Sequence, residues 1–385
     1  MIQRAGPDAI VVGAGIVGAA CAAALARDGW RVTVLDRSFA AAGTTSVGMG
    51  HIVVMDDTPE QLALTAYSAQ LWRDLRPQLD ARSEFDACGT LWIAEDESQR
   101  AALEEKRTIY RAARVAADVI DGPELRESEP NLRDDLLGAL LVPDDAVIYP
   151  PGATIQLLEL ARRNGAIVRE GVEVREVIAN GVRLPGETLH ADVVINAAGA
   201  AAPALTSGLP ILPRKGHLAI TDRYPGLCRH QIVELGYLTS AHAMTSESVA
   251  FNVQPRSTGQ ILIGSSRELV GWDATLNHAV LGRMLARATE LMPALRDVSI
   301  IRSWTGFRPA TPDKLPLIGR WEPMPGVWIA GGHEGLGITM SLATAELIAD
   351  EIAGRAPQID AAPFSPMRVL SQPLSGSGVG AGAST

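Results

Sequence analysis

Six residues near the N-terminus, Gly13-Ala14-Gly15-Ile16-Val17-Gly18, have the spacing of a G-x-G-x-x-G pyrophosphate loop. The apolar run Ala9 to Val12 leads into them, and the alanine-rich stretch Ile16 to Asp28 follows. That order predicts a buried strand, a tight turn and a helix. Gly13 permits the turn, Gly15 lets the backbone approach a phosphate, and Gly18 lets the helix pack on the sheet. Ile16 and Val17 then stand at the positive helix N-terminus, where an anion is stabilised. Asp36 ends the next strand, Arg31 to Leu35, where a carboxylate can accept a bond from a ribose hydroxyl. Arg37 lies beside it. Together these residues predict a dinucleotide site.

The continuation separates a flavin from a nicotinamide. A nicotinamide dehydrogenase would carry on alternating strands and helices. This chain instead enters Gly43-Thr44-Thr45-Ser46-Val47-Gly48-Met49-Gly50-His51. The amides and hydroxyls of Thr44, Thr45, Ser46, Gly48 and Met49 are of the type that bind phosphate and the edges of a flavin. A third glycine-rich run, Gly331 to Thr339, precedes a helix over Leu336 to Ala353. Its amides and dipole would face a ring edge that gains negative charge on reduction.

Further elements must position these loops. Thr58-Pro59-Glu60-Gln61 reads as a capped helix start. The helix runs to about Leu79, with Leu64, Tyr67, Leu71 and Leu75 on one face. Helices are expected over Ser98 to Val115, Gly152 to Asn164 and Ala279 to Leu291. Strands are expected over Ala166 to Val168, Glu173 to Val177, Val193 to Ile195, Ser248 to Val253, Gln260 to Ile263 and Val327 to Ala330. The fold class is α/β, a Rossmann-type cofactor domain with an inserted α+β domain carrying a mainly antiparallel sheet. The cofactor domain takes segments 1–80, 145–212 and 305–370. The substrate domain takes 81–144 and 213–304, and 371–385 form a disordered Gly/Ser/Ala tail.

Composition narrows the function classes. Net charge is −10 over 385 residues, which disfavours nucleic acid as a partner. No apolar run approaches a transmembrane length, and the first eight residues leave no room for a secretory signal, so the expected compartment is the cytoplasm. Cys21, Cys88 and Cys228 are widely spaced and read as buried small residues. No metal site is expected. Trp304 and Trp328 read as core, and His333 as a turn residue packed on the sheet.

Four segments resemble the D-amino-acid oxidase superfamily of flavoproteins. They are Ala9 to Asp36, Gly43 to Asp57, Glu173-Val174 with Asn196 to Gly199, and Trp304 to Asp313 with Leu315 to Gly319 and Gly331 to Thr339. Within it they are most similar to the branch of glycine oxidase, sarcosine oxidase β subunits and D-hydroxyproline dehydrogenases. Gly48-Met49-Gly50-His51 followed by Val53-Val54-Met55-Asp56-Asp57 looks most like the last group. The resemblance implies FAD, with Val174 at the adenine half, Ala198 and Gly199 beside the nucleotide, and Gly332, Gly335, Leu336, Gly337, Ile338 and Thr339 along the flavin ring. Arg308 matches the arginine that holds a substrate carboxylate, and His51, Met49 and Asn252 would line the same site. Asn252 replaces a tyrosine of glycine oxidase, and Gly335 replaces a second arginine. Gly306 stands near the cysteine that attaches flavin in monomeric sarcosine oxidases, which implies non-covalent FAD.

The implied reaction is hydride transfer from the α-carbon of an amino or imino acid to flavin N5, with cis-4-hydroxy-D-proline giving a pyrroline carboxylate. Sarcosine, an opine or another D-amino acid are alternatives. A flavin-binding β subunit active only within a multi-subunit dehydrogenase is another, as is a non-catalytic scaffold. The electron acceptor stays open between oxygen, a quinone and partner subunits, and so does homo- or hetero-oligomer formation.

Overall fold

The computed structural model describes residues 7–235 and 247–370. The tail expected over 371–385 lies outside the described residues.

Continuous apolar runs need cover on both faces, and the first sheet supplies it. It has six strands, in the order Leu317–Arg320, Val327–Gly331, Val193–Asn196, Asp8–Val12, Arg31–Leu35 and Ile167–Arg169. Its pairings are parallel except between the first two. Helix Ile16–Arg27 packs against helices Pro150–Arg163 and Gly337–Ala353. Its alanines permit that close approach, and Ala19 and Ala22 are fully buried.

The second sheet has eight strands, in the order Ile300–Ala310, Leu212–Thr221, Ile261–Glu268, Glu247–Pro255, Gln231–Glu234, Thr90–Ala94, Gly138–Val142 and Asp118–Asp121. All its pairings are antiparallel except that of 231–234 with 90–94. Helix His278–Leu291 covers one face, burying Val280, Met284, Ala288 and Leu291 at helical spacing. Strand 300–310 is continuous, so the boundary expected at 305 falls inside one strand.

Several local expectations need correction. The strand expected over Glu173 to Val177 is Glu176–Ile178. Before it, Val172 N donates to Asp36 O at 2.8 Å and Arg175 N to Arg183 O at 2.8 Å, which holds the intervening residues outside the regular ladder. Helix Pro59–Leu75 starts as expected, with Gln61 N donating to Thr58 Oγ1. Gln61 Oε1, however, accepts from Asp57 N rather than closing a box on Thr58. The buried face of this helix is Gln61, Leu64, Thr65, Ser68 and Trp72, whereas Tyr67, Leu71 and Leu75 are half-buried. Polar residues enter the core there because neighbouring backbone uses them: Met55 N donates to Thr65 Oγ1 and Ala343 N to Ser68 Oγ.

Trp304 and Trp328 are half-buried rather than core, because their indole N–H groups reach outward to Val47 O and Glu351 Oε2. The core tryptophans are Trp72, Trp92 and Trp321. Cys21 and Cys228 are buried, but Cys88 is partly exposed. Among the described residues no helix is long and apolar enough to cross a membrane.

Candidate active site

The glycine-rich loop is held from behind. Gly13 has φ +107°, donates its N–H to Leu35 O at 2.8 Å, and a Cβ there would lie 2.5 Å from Ala197 O. Gly18 abuts the same turn, since a Cβ on it would fall 1.9 Å from Gly13 O. Gly15 differs: a Cβ would meet Thr45 Oγ1 alone, at 3.2 Å, and would project into a cavity of about 850 Å³. Gly13, Gly15, Ile16, Val17, Asp36, Arg37, Thr44, Thr45, Gly48, Met49, Val174, Ala198 and Gly199 all line that cavity. Asp36 also serves the loop itself, accepting from Ala14 N at 2.7 Å and Ser38 N at 2.8 Å. Thr45 Oγ1 accepts from Ile16 N, joining the 44–47 turn to the helix N-terminus.

The far end of the cavity is formed by strand 300–310 and the turn after strand 327–331. Arg308, Gly335, Gly337 and Ile338 line it. Arg308 lies opposite Arg214 on the neighbouring strand. Lys215 pairs with Glu268, which puts Arg267 on the other face, with Arg214. Gly216 makes room for the guanidinium of Arg308: a Cβ there would lie 2.3 Å from Nη1. Arg308 Nη1 donates to Ser266 O at 2.9 Å.

Glu334 sits among these cations, 3.3 Å from Arg267 Nε and 3.7 Å from Arg214 Nη1. Burial would raise the pKa of its carboxyl, but Arg267, Arg308 and Arg214 outweigh this and bring it down to about 2. His51 Nε2 is buried with no hydrogen-bond partner among the described residues, and so is Asn252 Oδ1. Burial, and then the charge of Arg308, hold the His51 imidazole down to about 3, so it is neutral. His333 is buried against Thr344 Oγ1 at 2.9 Å, and burial holds it down to about 4.

His51, Asn252, His333, Glu334 and Gly335 line both this cavity and a smaller adjoining chamber of about 120 Å³. Arg214, Arg267, Lys314 and Asp57 complete the charged part of the chamber wall. The backbone at His51 is pinned from two sides. Thr339 Oγ1 donates to His51 O and accepts from Val53 N, and Val54 N donates to Asp145 Oδ1.

Not every expected residue reaches a cavity. Ser46 is exposed, and its hydroxyl turns back to Ala42 O and Gly43 O. Gly332 (φ +77°) shapes the turn from outside the lining. Thr339 is buried in the bridge to His51, and Leu336 faces the small chamber rather than the large cavity. Conversely, Arg214, Gly216, Arg267 and Glu334 were not singled out in the sequence. Glu334 lay within a motif that drew attention to its glycines, and the others acquire meaning through strand register. Among the described residues, no group of three or more His, Cys, Asp or Glu is placed to hold a metal ion.

The large cavity fits FAD on this chain's own terms. It has a volume of about 850 Å³, a helix N-terminus in its wall, and a cradle at Gly15 that a side chain would fill. Comparison with known proteins agrees. The family model described as FAD dependent oxidoreductase, DAO, matches residues 8–351. Hydrogen cyanide synthase subunit HcnC of Pseudomonas aeruginosa is 28% identical, with 95% of this chain and 97% of that protein covered. A D-amino acid dehydrogenase of Cereibacter sphaeroides is 29% identical, over 92% of this chain and 93% of that protein. The crystal structure of glycine oxidase from Geobacillus kaustophilus superposes with a TM-score of 0.85 at 25% identity, covering 94% of this chain and 98% of that one. The chain belongs to the DAO family of FAD-dependent oxidoreductases.

Proposed function

We propose that this FAD-dependent oxidoreductase oxidises the CH–N bond of a small amino or imino acid, and that its substrate is cis-4-hydroxy-D-proline. The observation that carries the reading is the Arg308 guanidinium, set over Gly216 in the large cavity beside Gly335, which lines both cavities. A guanidinium offers paired donors to a carboxylate, and its planar fork fixes orientation as well as affinity. The relatives named for D-amino acids and glycine support an amino-acid substrate. The small chamber suits a compact ring, and Asn252 Oδ1 can accept from a ring hydroxyl.

When bound, FAD would supply the oxidant for removal of the α-hydrogen with its electron pair; the protein's part is placement. Arg308 holds the carboxylate, Met49 and Ile338 bound the cavity from opposite elements, and the turn at Gly335 to Ile338 presents a helix N-terminus. We assign the fingerprint loop, Asp36, Arg37, Thr44, Thr45, Val174, Ala198 and Gly199 to the nucleotide half, held without a covalent link.

The test is anaerobic mixing of the holoenzyme with a panel of D- and L-amino and imino acids, following loss of flavin absorbance. cis-4-Hydroxy-D-proline should bleach it fastest and glycine poorly. Faster bleaching by glycine than by every cyclic imino acid would overturn the substrate. A second reading, an opine with two carboxylates, is favoured by the cations of the chamber: Arg214, Arg267 and Lys314 stand against Asp57 and Glu334. The same panel separates the two. The relative named as a synthase subunit also supports a chain that passes electrons to partner subunits, which a dye acceptor with the purified chain would test.

A further inference from the structure

We infer that His51 is the base that takes the amine proton of the substrate at its Nε2. This rests on the reading that the substrate is an amino or imino acid with its carboxylate on Arg308. The chemistry needs an unprotonated nitrogen. A secondary amine beside a carboxylate is protonated at neutral pH, and a protonated nitrogen has no lone pair to form C=N as hydride departs. The proton must leave first. Its transfer changes no oxidation state: the N–H bond of the ammonium breaks, its electron pair stays on nitrogen, and a new N–H bond forms at His51 Nε2. The released lone pair then forms C=N as the α-hydrogen leaves with its electron pair to the family's FAD.

The geometry singles out His51. Its Nε2 is buried, has no partner among the described residues and lines both cavities at their junction. His333, the other histidine there, engages Nε2 with Thr344. Glu334 shares the wall, but its oxygens are already engaged, Oε1 by Arg267 and Arg214 and Oε2 by Gly335 N. In the neutral tautomer that carries its hydrogen on Nδ1, the imidazole accepts at Nε2.

The surroundings also bear on how basic that nitrogen is. The charged groups facing the chamber are Arg214 and Arg267 on adjoining strands, Arg308 beside them, Lys314 and Asp57 from loops, and Glu334 from the turn. With burial, the Arg308 charge keeps His51 from taking a proton out of solvent. A substrate carboxylate on Arg308 offsets that charge, the smaller of the two causes, while burial, the larger, remains. The proton donor and the group that offsets the charge are parts of one molecule.

The test compares two ring substrates that differ in nitrogen basicity. cis-4-Hydroxy-D-proline is protonated near neutrality. D-Thiazolidine-4-carboxylate has a similar ring, but its sulfur withdraws charge and leaves the nitrogen largely neutral. Wild-type and His51→Asn holoenzymes of matched flavin content are compared by kcat/KM from pH 6 to 10. The variant should lose about 100-fold or more on hydroxyproline at pH 7, the usual scale for a general base. Its remaining rate should climb about tenfold per pH unit as free amine appears, while thiazolidine oxidation stays within a few-fold of wild type. Equal losses on both substrates, with no change of pH profile, would overturn the base and leave His51 a packing contact. If His51→Asn does not retain flavin, His51→Gln serves in the same comparison. Arg308→Ala separates the underlying reading: undiminished turnover there would sink the carboxylate assignment, whatever His51 does.

Discussion

The glycine-rich cradle of the large cavity and the small chamber, which share Gly335 in their walls, are built on different principles. The cradle is made of backbone. Its shape comes from Gly13, Gly15 and Gly18 in one six-residue run, and its polar groups are main-chain amides at a helix start. The chamber is made of side chains. Arg214, Arg267 and Arg308 arrive from three adjacent strands, Glu334 from a turn of the other sheet, and His51 from the two-residue strand His51–Ile52. A backbone turn such as Gly13 to Gly18 has little room for an added atom and carries no titrating group of its own. A side-chain site can be tuned residue by residue, and its charges depend on one another.

The largest expected effect lies in the cradle. Gly15→Val should abolish FAD binding while the chain still folds, because its side chain enters the cavity; Gly18→Val should instead disrupt folding, because its Cβ meets Gly13 O. Flavin absorbance and circular dichroism separate the two. Full flavin occupancy in Gly15→Val would erase the contrast between the regions. Acid denaturation of the wild type should release its FAD into solution.

Next comes the guanidinium. Arg308→Ala should leave FAD bound and cost about 2–5 kcal/mol in kcat/KM, the range for truncating one partner of a buried charge pair. Lysine should restore part of this, since a point charge cannot match both oxygens. Loss of flavin or fold in Arg308→Ala would make the arginine structural.

Gly216→Ala is a subtler way into the same site. The new methyl displaces the guanidinium, and overpacking of this kind costs roughly 1–3 kcal/mol. It should appear as a raised KM with flavin content unchanged. A variant indistinguishable from wild type would show that Arg308 has room to spare.

The smallest effect concerns pH and stability. His333 is buried neutral, with its pKa lowered to about 4 from 6.5. The unfolded chain takes up a proton below pH 6.5 that the native chain refuses until about pH 4, so stability falls as pH drops through that window. At pH 5 the loss is roughly 2 kcal/mol, at 1.36 kcal/mol per pH unit. Urea unfolding of His333→Gln at pH 7 and pH 5 should show a correspondingly smaller difference than wild type.

The contrast explains what could be read in advance. A backbone site is encoded contiguously, so the fingerprint, Asp36 and the 331–339 turn were visible as spacing. The alternation of the strands was visible too, and with it both sheets. Arg214 carried no signal because its meaning lies in standing opposite Arg308, a register that no single strand contains. Gly216 looked like any strand glycine until its cross-strand neighbour was known. Ser46 misled for the opposite reason: a hydroxyl in the right stretch of sequence spends itself on its own turn. The helical face at 59–75 was misjudged because apolar spacing hides polar residues that serve neighbouring backbone.

Strand 300–310 touches the cofactor loop along one stretch. Trp304 Nε1 donates to Val47 O, Gly306 presses on the Val47 side chain, and Phe307 O accepts from Thr44 Oγ1. The very next residue is Arg308. Diversification of this scaffold is therefore lopsided. Changes at 304–307 that re-aim the guanidinium also disturb the loop at 44–47, whereas Gly216 and Ser266 touch the guanidinium itself. Arg214, Gly216 and Arg267 therefore offer a route into this site that leaves the contacts of Trp304, Gly306 and Phe307 with the 44–47 loop in place.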